Sequence, residues 1–189
     1  MNETVPAEVR IEHIKRLLFT SEGESTYAIL DGASVPGLLE KLAVAPEEHA
    51  CLYRGELEPD LAHTAPYLVK LRLDSPFTEW ILGEGWGQHW GIFAITPAGL
   101  EAFRRHLRGF LRVRDHKGQI LYFRYYDPRV LSVYLPTCNI RELRFVFGPA
   151  TSYVCEGHAP DVALRYSLQE NRLKTATVAL GSDKPETAR

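Results

Sequence analysis

The sequence predicts an α/β domain: a central, largely parallel or mixed sheet of about five strands, with helices on both faces. Two observations carry this. The runs Tyr27-Ala28-Ile29-Leu30 and Gly91-Ile92-Phe93-Ala94-Ile95 are apolar without interruption, as strands covered on both faces are. Segments with helical spacing lie between such runs, and strand–helix alternation is the pattern of crossover-connected sheets.

Each element has its own signal. Residues 5–19 place Ile11, Ile14 and Leu18 on one helical face, with Thr4 as a cap and Pro6 in the first turn. Residues 26–34 read as a buried strand closed by the Asp31-Gly32 turn, and 35–45 as a short helix with Pro36 near its start. Residues 49–57 read as a second strand ended by Gly55, 58–66 as a polar connector and 66–73 as a third strand. Residues 75–88 begin as a helix and dissolve into glycines; 89–96 form a fourth strand. Thr96 then caps the clearest helix, with Pro97 in its first position and Leu100, Phe103, Leu107, Phe110 and Leu111 on one face. Asp115-His116-Lys117-Gly118 closes it. A fifth strand is expected over 119–127, and Asp127-Pro128 reads as an N-cap and first-turn proline opening a helix to 135. Residues 140–148 fit helix or strand, and 151–157 a last strand. Residues 169–189 lose the apolar period and read as a loose tail. The expected organisation is an N-terminal helix packed on the domain (1–24), the α/β domain (25–150) and a short C-terminal extension (151–189).

The bulk numbers narrow the function classes. Apolar residues at 45% and charged residues at 24% suit a soluble globular chain that buries a real core. A net charge of −2 supplies no field for nucleic acid or an anionic membrane, and no apolar run is long enough to span a bilayer. Met1-Asn2-Glu3-Thr4 lacks the basic and apolar regions of a signal peptide, so a cytoplasmic location is expected. Cys51, Cys138 and Cys155 form no C-x-x-C pair and fit reduced thiols. The histidines form no recognised metal spacing, and phosphate-loop and serine-elbow motifs are absent, so no metal or cofactor is expected.

The segment Tyr122-Phe123-Arg124-Tyr125-Tyr126-Asp127-Pro128-Arg129 is the densest feature. On a strand, Tyr122, Arg124 and Tyr126 would face one way and Phe123, Tyr125 and Asp127 the other. Arg124 among rings then requires a carboxylate partner, Asp127 suits the exposed N–H groups of the next helix, and Arg129 can pair with a nearby acid. This reads first as scaffold. The alternative is a site in which Asp31 and Asp127 meet at the carboxyl edge of the sheet and serve as acid–base or metal groups.

Several pieces together resemble the bacterial type VI secretion effector-adaptor chaperones, catalogued as a domain of unknown function. They are Tyr27 through Ala33, Leu52-Tyr53-Arg54-Gly55, Ala65-Pro66-Tyr67-Leu68-Val69, His106-Leu107-Arg108 and Phe123 through Arg129. The resemblance spans about residues 25–150. It implies a non-enzymatic adaptor in the cytoplasm of a Gram-negative bacterium, with an effector toxin and a VgrG spike protein as partners. It also implies structural roles for Asp31, Gly32, Tyr53, Pro66, Tyr67, Arg124, Asp127, Pro128 and Arg129. Many members carry a further C-terminal helical lobe thought to recognise cargo; here little chain remains after about residue 150.

Two other features are candidate contact surfaces. The glycine-rich segment 83–91 carries Trp86 and Trp90, either as core anchors or as an exposed partner contact. Arg105, Arg108 and Arg112 line the polar face of the long helix, which fits a solvated face, an acidic protein partner or, less well, nucleic acid. Three functions remain open on sequence: an adaptor, a small enzyme or ligand-binding protein using Asp31 and Asp127 with Arg124 as an anion clamp, and a nucleic-acid binder.

Overall fold

The computed structural model describes residues 5–20, 22–114, 117–181 and 187–188. The chain runs α1 (Ala7–Leu18), β1 (Ser25–Asp31), α2 (Leu38–Val44), β2 (His49–Cys51), α3 (Pro59–Thr64), β3 (Pro66–Lys70), α4 (Pro76–Glu84) and β4 (Gly91–Thr96). It continues through α5 (Leu100–Arg108), β5 (Arg112–Arg114), β6 (Ile120–Tyr122), α6 (Pro128–Tyr134), a 3-10 turn (Leu135–Thr137) and α7 (Ile140–Phe147). It ends in β7 (Ser152–Glu156), β8 (Val162–Gln169), β9 (Arg172–Ala179) and the two-residue β10 (Thr187–Ala188). The expected Thr4 cap, Asp115 and His116 of the helix closure, and residues 182–186 and 189 of the tail lie outside the described residues.

The sheet corrects the prediction of about five largely parallel strands. Eight strands lie in the order β10-β9-β8-β7-β4-β1-β3-β2, and every neighbouring pair is antiparallel. The reason is an interleaving that alternation alone does not reveal. β1 and β2 both run antiparallel to β3, so β1–α2–β2 is a parallel crossover that steps over β3. β3 and β4 both run antiparallel to β1, so β3–α4–β4 is a second crossover that steps over β1. The strand–helix–strand units expected from sequence are present, but each leaves a slot that a strand of the other fills antiparallel.

Helices cover both faces, which explains the uninterrupted apolar strands without parallel pairing. Tyr27, Ile29, Ile92 and Ala94 face a core completed by Phe103 and Leu107 of α5, Leu131 of α6 and Leu143, Val146 and Phe147 of α7. Ala28, Leu30 and Phe93 face the opposite core, with Ile14 and Leu18 of α1, Leu42 of α2 and Phe77, Ile81 and Leu82 of α4. The register Leu30↔Tyr67 and Leu30↔Gly91 places Asp31 beside Pro66 and the start of β4.

Local chemistry sets the element ends. α5 starts at Leu100 behind Gly99; Thr96 is instead the last residue of β4, where its hydroxyl donates to the Pro149 carbonyl (2.9 Å) and accepts from the Ala98 N–H. Residues 140–148, open between helix and strand, form α7 because Asn139 and Glu142 close a capping box (Glu142 N–H to Asn139 Oδ1 3.1 Å, Asn139 N–H to Glu142 Oε2 2.7 Å). The connector 58–66 contains the short α3. Much of the expected loose tail is β9, joined to β8 by Glu170 and Asn171, both at positive φ (50° and 64°) as a tight hairpin turn requires.

The fifth strand is corrected most. Only Ile120–Tyr122 is extended, and it pairs with Arg112–Arg114 in a hairpin separate from the main sheet. Alternation breaks down after it, because Tyr125 and Tyr126 are consecutive and both buried while Tyr122 is 61% exposed. The segment turns under α5 and α6 as irregular chain, and its rings pack at an angle against Phe110 and edge-on against Tyr134 rather than across strands.

Candidate functional site

Two regions hold most of the sequence-singled residues. The first is the end of the sheet where β1 stops and β4 starts. Asp31 is buried there, and its Oδ1 accepts from the Ala33 N–H (3.2 Å) while Oδ2 accepts from the Ser34 hydroxyl (2.9 Å) and the Arg124 guanidinium. Gly32 follows because a Cβ at that position would lie 2.4 Å from the Ala65 carbonyl oxygen, which already accepts the Gly32 N–H. Burial opposes the charge of Arg124, yet Asp31 more than offsets it and holds the guanidinium above its usual pKa.

Asp127 caps α6 as its position before Pro128 suggests. Its Oδ1 accepts from the Arg129 N–H (2.9 Å), and Arg129 also closes a bidentate pair, Nε to Oδ1 at 3.0 Å and Nη2 to Oδ2 at 2.7 Å. Burial alone would raise the Asp127 carboxyl, but the Arg129 hydrogen bonds and charge hold it below its usual value. Asp31 and Asp127 therefore do come to one end of the fold, and each carboxylate is already engaged by its own arginine, Arg124 and Arg129 respectively.

Sequence reasoning missed the third acid of this end. Glu156 closes β7 and is buried; its Oε1 accepts from the His89 N–H (2.8 Å) and its Oε2 lies 3.2 Å from His89 Nδ1. Burial pushes the Glu156 carboxyl up despite His89. The only signal was a charged residue ending an apolar run. Among the described residues, no group of three or more acids, histidines or cysteines could hold a metal ion.

Trp86 and Trp90 are not surface contacts. Trp86 is 6% exposed, donates Nε1–H to the Pro160 carbonyl (3.0 Å) and stacks on Phe93; Trp90 packs on Trp80. The glycines let the loop fold back so that both rings fill the core under α4. Pro66 and Tyr67 open β3, where Tyr67 donates its hydroxyl to the Ala62 carbonyl (3.0 Å) and burial pushes its pKa up to about 12.

The second region is built on the end of α5. Arg105 is exposed, but Arg108 turns inward and holds the carbonyls of Cys51, Leu52 and Tyr53, with Nε to Leu52 at 2.9 Å and Nη2 to Cys51 at 3.1 Å. Arg104 holds the Cys51 carbonyl as well (2.9 Å). The expected solvated stripe is thus partly a clamp on the end of β2. Beside it opens a pocket of about 280 Å³ lined by Leu52, Leu57, Leu61 and Leu111, with Arg54, Arg108 and Arg112 at its polar side. Tyr53 and Tyr122, 5.4 Å between ring centres, close it against the β5–β6 hairpin. The hairpin exposes Val113, Ile120, Leu121 and Tyr122.

No helix among the described residues is long and apolar enough to cross a membrane. No curated protein and no solved structure gives a significant match to the chain. The family model for a domain of unknown function, DUF4123, matches residues 26–144, from β1 into α7, and takes in Asp31, the α5 arginines and the Asp127–Arg129 cap. That stretch covers well over half of the chain, and the protein belongs to the DUF4123 family.

Proposed function

We propose that the protein is a cytoplasmic adaptor of type VI secretion, which binds an effector toxin and helps load it onto a VgrG spike. One observation carries the reading furthest. The β5–β6 hairpin stands apart from the main sheet and exposes the cross-strand pair Val113 and Leu121 on one face and Ile120 and Tyr122 on the other, where Tyr122 borders a leucine-lined pocket. An isolated two-stranded hairpin gains little by exposing four large apolar side chains unless they meet a partner. The resemblance of the chain's motifs to those of effector adaptors supplies the class of partner.

The alternative, a small enzyme or ligand-binding protein using Asp31 and Asp127, draws on a sheet end where both carboxylates already close ion pairs and turn contacts. The adaptor reading is tested by purifying the tagged protein from its native cytoplasm. Stoichiometric recovery of an effector or a VgrG spike protein is expected. Recovery of neither, from a folded protein co-expressed with both, would overturn the reading.

A further inference from the structure

We infer that the pocket beside the β5–β6 hairpin receives an acidic, apolar segment of a partner polypeptide, with an aliphatic or aromatic side chain among the leucines and carboxylates against the arginines. The inference rests on the adaptor reading and specifies what it binds.

Size comes first. About 280 Å³ lies just below the ~300–1,000 Å³ range of drug-sized ligand sites, and suits side chains of a bound peptide better than a metabolite. Lining comes second. Leu57 and Leu61 are partly exposed on the pocket wall, so an apolar anchor would gain burial there without displacing the core. Charge decides the partner's chemistry. Among the described residues, no carboxylate lies within ion-pair distance of Arg54, Arg108 or Arg112, whereas the Arg104 pair with Glu101 sits outside the lining.

Burial first, and then the like charges of Arg104 and Arg54, hold the Arg108 guanidinium below its usual pKa. The three backbone carbonyls fix Arg108, so its charge is already in place when a carboxylate arrives. Phosphate backbones would meet the same arginines, but the net charge of −2 and the leucine floor favour a polypeptide. The open edges of β5 and β6 offer main-chain hydrogen bonds to an extended segment alongside.

The test is panning of a random dodecapeptide library displayed on phage against the full chain, followed by anisotropy with the enriched peptides. Enriched sequences should combine Asp or Glu with Leu, Ile or Phe. Their affinity should fall at least tenfold in Arg112→Glu and in Leu57→Asp, each checked by thermal melting, and stay unchanged in Arg105→Glu outside the lining. Enrichment of basic or uncharged sequences, no enrichment, binding indifferent to both substitutions, or displacement of the peptide by single-stranded DNA or a second copy of the chain would overturn the inference. The adaptor reading is scored separately. Full effector capture by Arg112→Glu and Leu57→Asp would overturn the pocket and leave the adaptor standing, whereas no capture by the wild type would overturn the adaptor itself.

Discussion

The two ends of this fold use the same residue types to opposite effect. At the sheet end, Arg124 and Arg129 each close on a buried carboxylate, and Tyr125 and Tyr126 lie in the core. At the hairpin, Arg54 and Arg112 face a pocket without an acid partner among the described residues, and Tyr122 stands in solvent. An arginine whose partner comes from the same chain stabilises the scaffold. One left exposed beside an apolar pocket is, on the reading proposed above, where a partner's carboxylate would bind. The aromatic Arg–Asp–Pro–Arg run crosses this divide within a few residues.

Substitutions should separate the two regions by size of effect. The largest loss is expected from Gly32→Val, because any Cβ meets the Ala65 and His63 carbonyl oxygens at 2.4 and 2.6 Å, both backbone atoms. A cost of about 3 kcal/mol or more, read as a lower denaturant midpoint, is expected. Asp31→Asn removes the charge that Arg124 faces and weakens the turn; about 2 kcal/mol is expected, less than for a fully buried pair because Arg124 is half exposed. Asp127→Ala removes the α6 cap and should cost about 1–2 kcal/mol by the same measurement.

Much of the scaffold was legible because its signals are local. Asp127 before Pro128 announces a helix start whatever surrounds it, and the Asp31-Gly32 turn follows from two adjacent residues. Interleaved strand order is not local: nothing in residues 26–31 shows that β3 and β4 flank them. Alternation misled at 119–127, where rings are buried by a turning chain instead of a sheet face. β8 and β9 escaped notice because their exposed side carries Arg165, Arg172 and Lys174, which dilutes the apolar signal. The arginines of α5 were visible as a stripe, but which of them the β2 carbonyls occupy depends on packing across more than fifty residues.

A smaller effect is expected from pH. Burial holds the His106 imidazole below its usual pKa although its Nε2–H donates to the Val146 carbonyl (3.0 Å), so the folded state favours the neutral ring. Stability from this group is complete above the unfolded value of about 6.5 and is lost as pH falls through the lower folded value. Asp127, also held low, acts in the same direction further into acid, losing its contribution as pH falls below about 3.9. Denaturant midpoints should therefore drop between pH 7.5 and 5.5, and His106→Gln should flatten that drop.

The smallest effect on stability is expected where the effect on function is largest. Leu121→Asp on the exposed face of the hairpin should change the melting temperature by little, since surface positions typically contribute within about 0.5 kcal/mol. The measurement that tests the division most directly is effector capture by this variant beside the wild type in the native cytoplasm, with melting curves for both. Matching melts and lost capture are expected for Leu121→Asp; capture equal to the wild type would move recognition away from the hairpin.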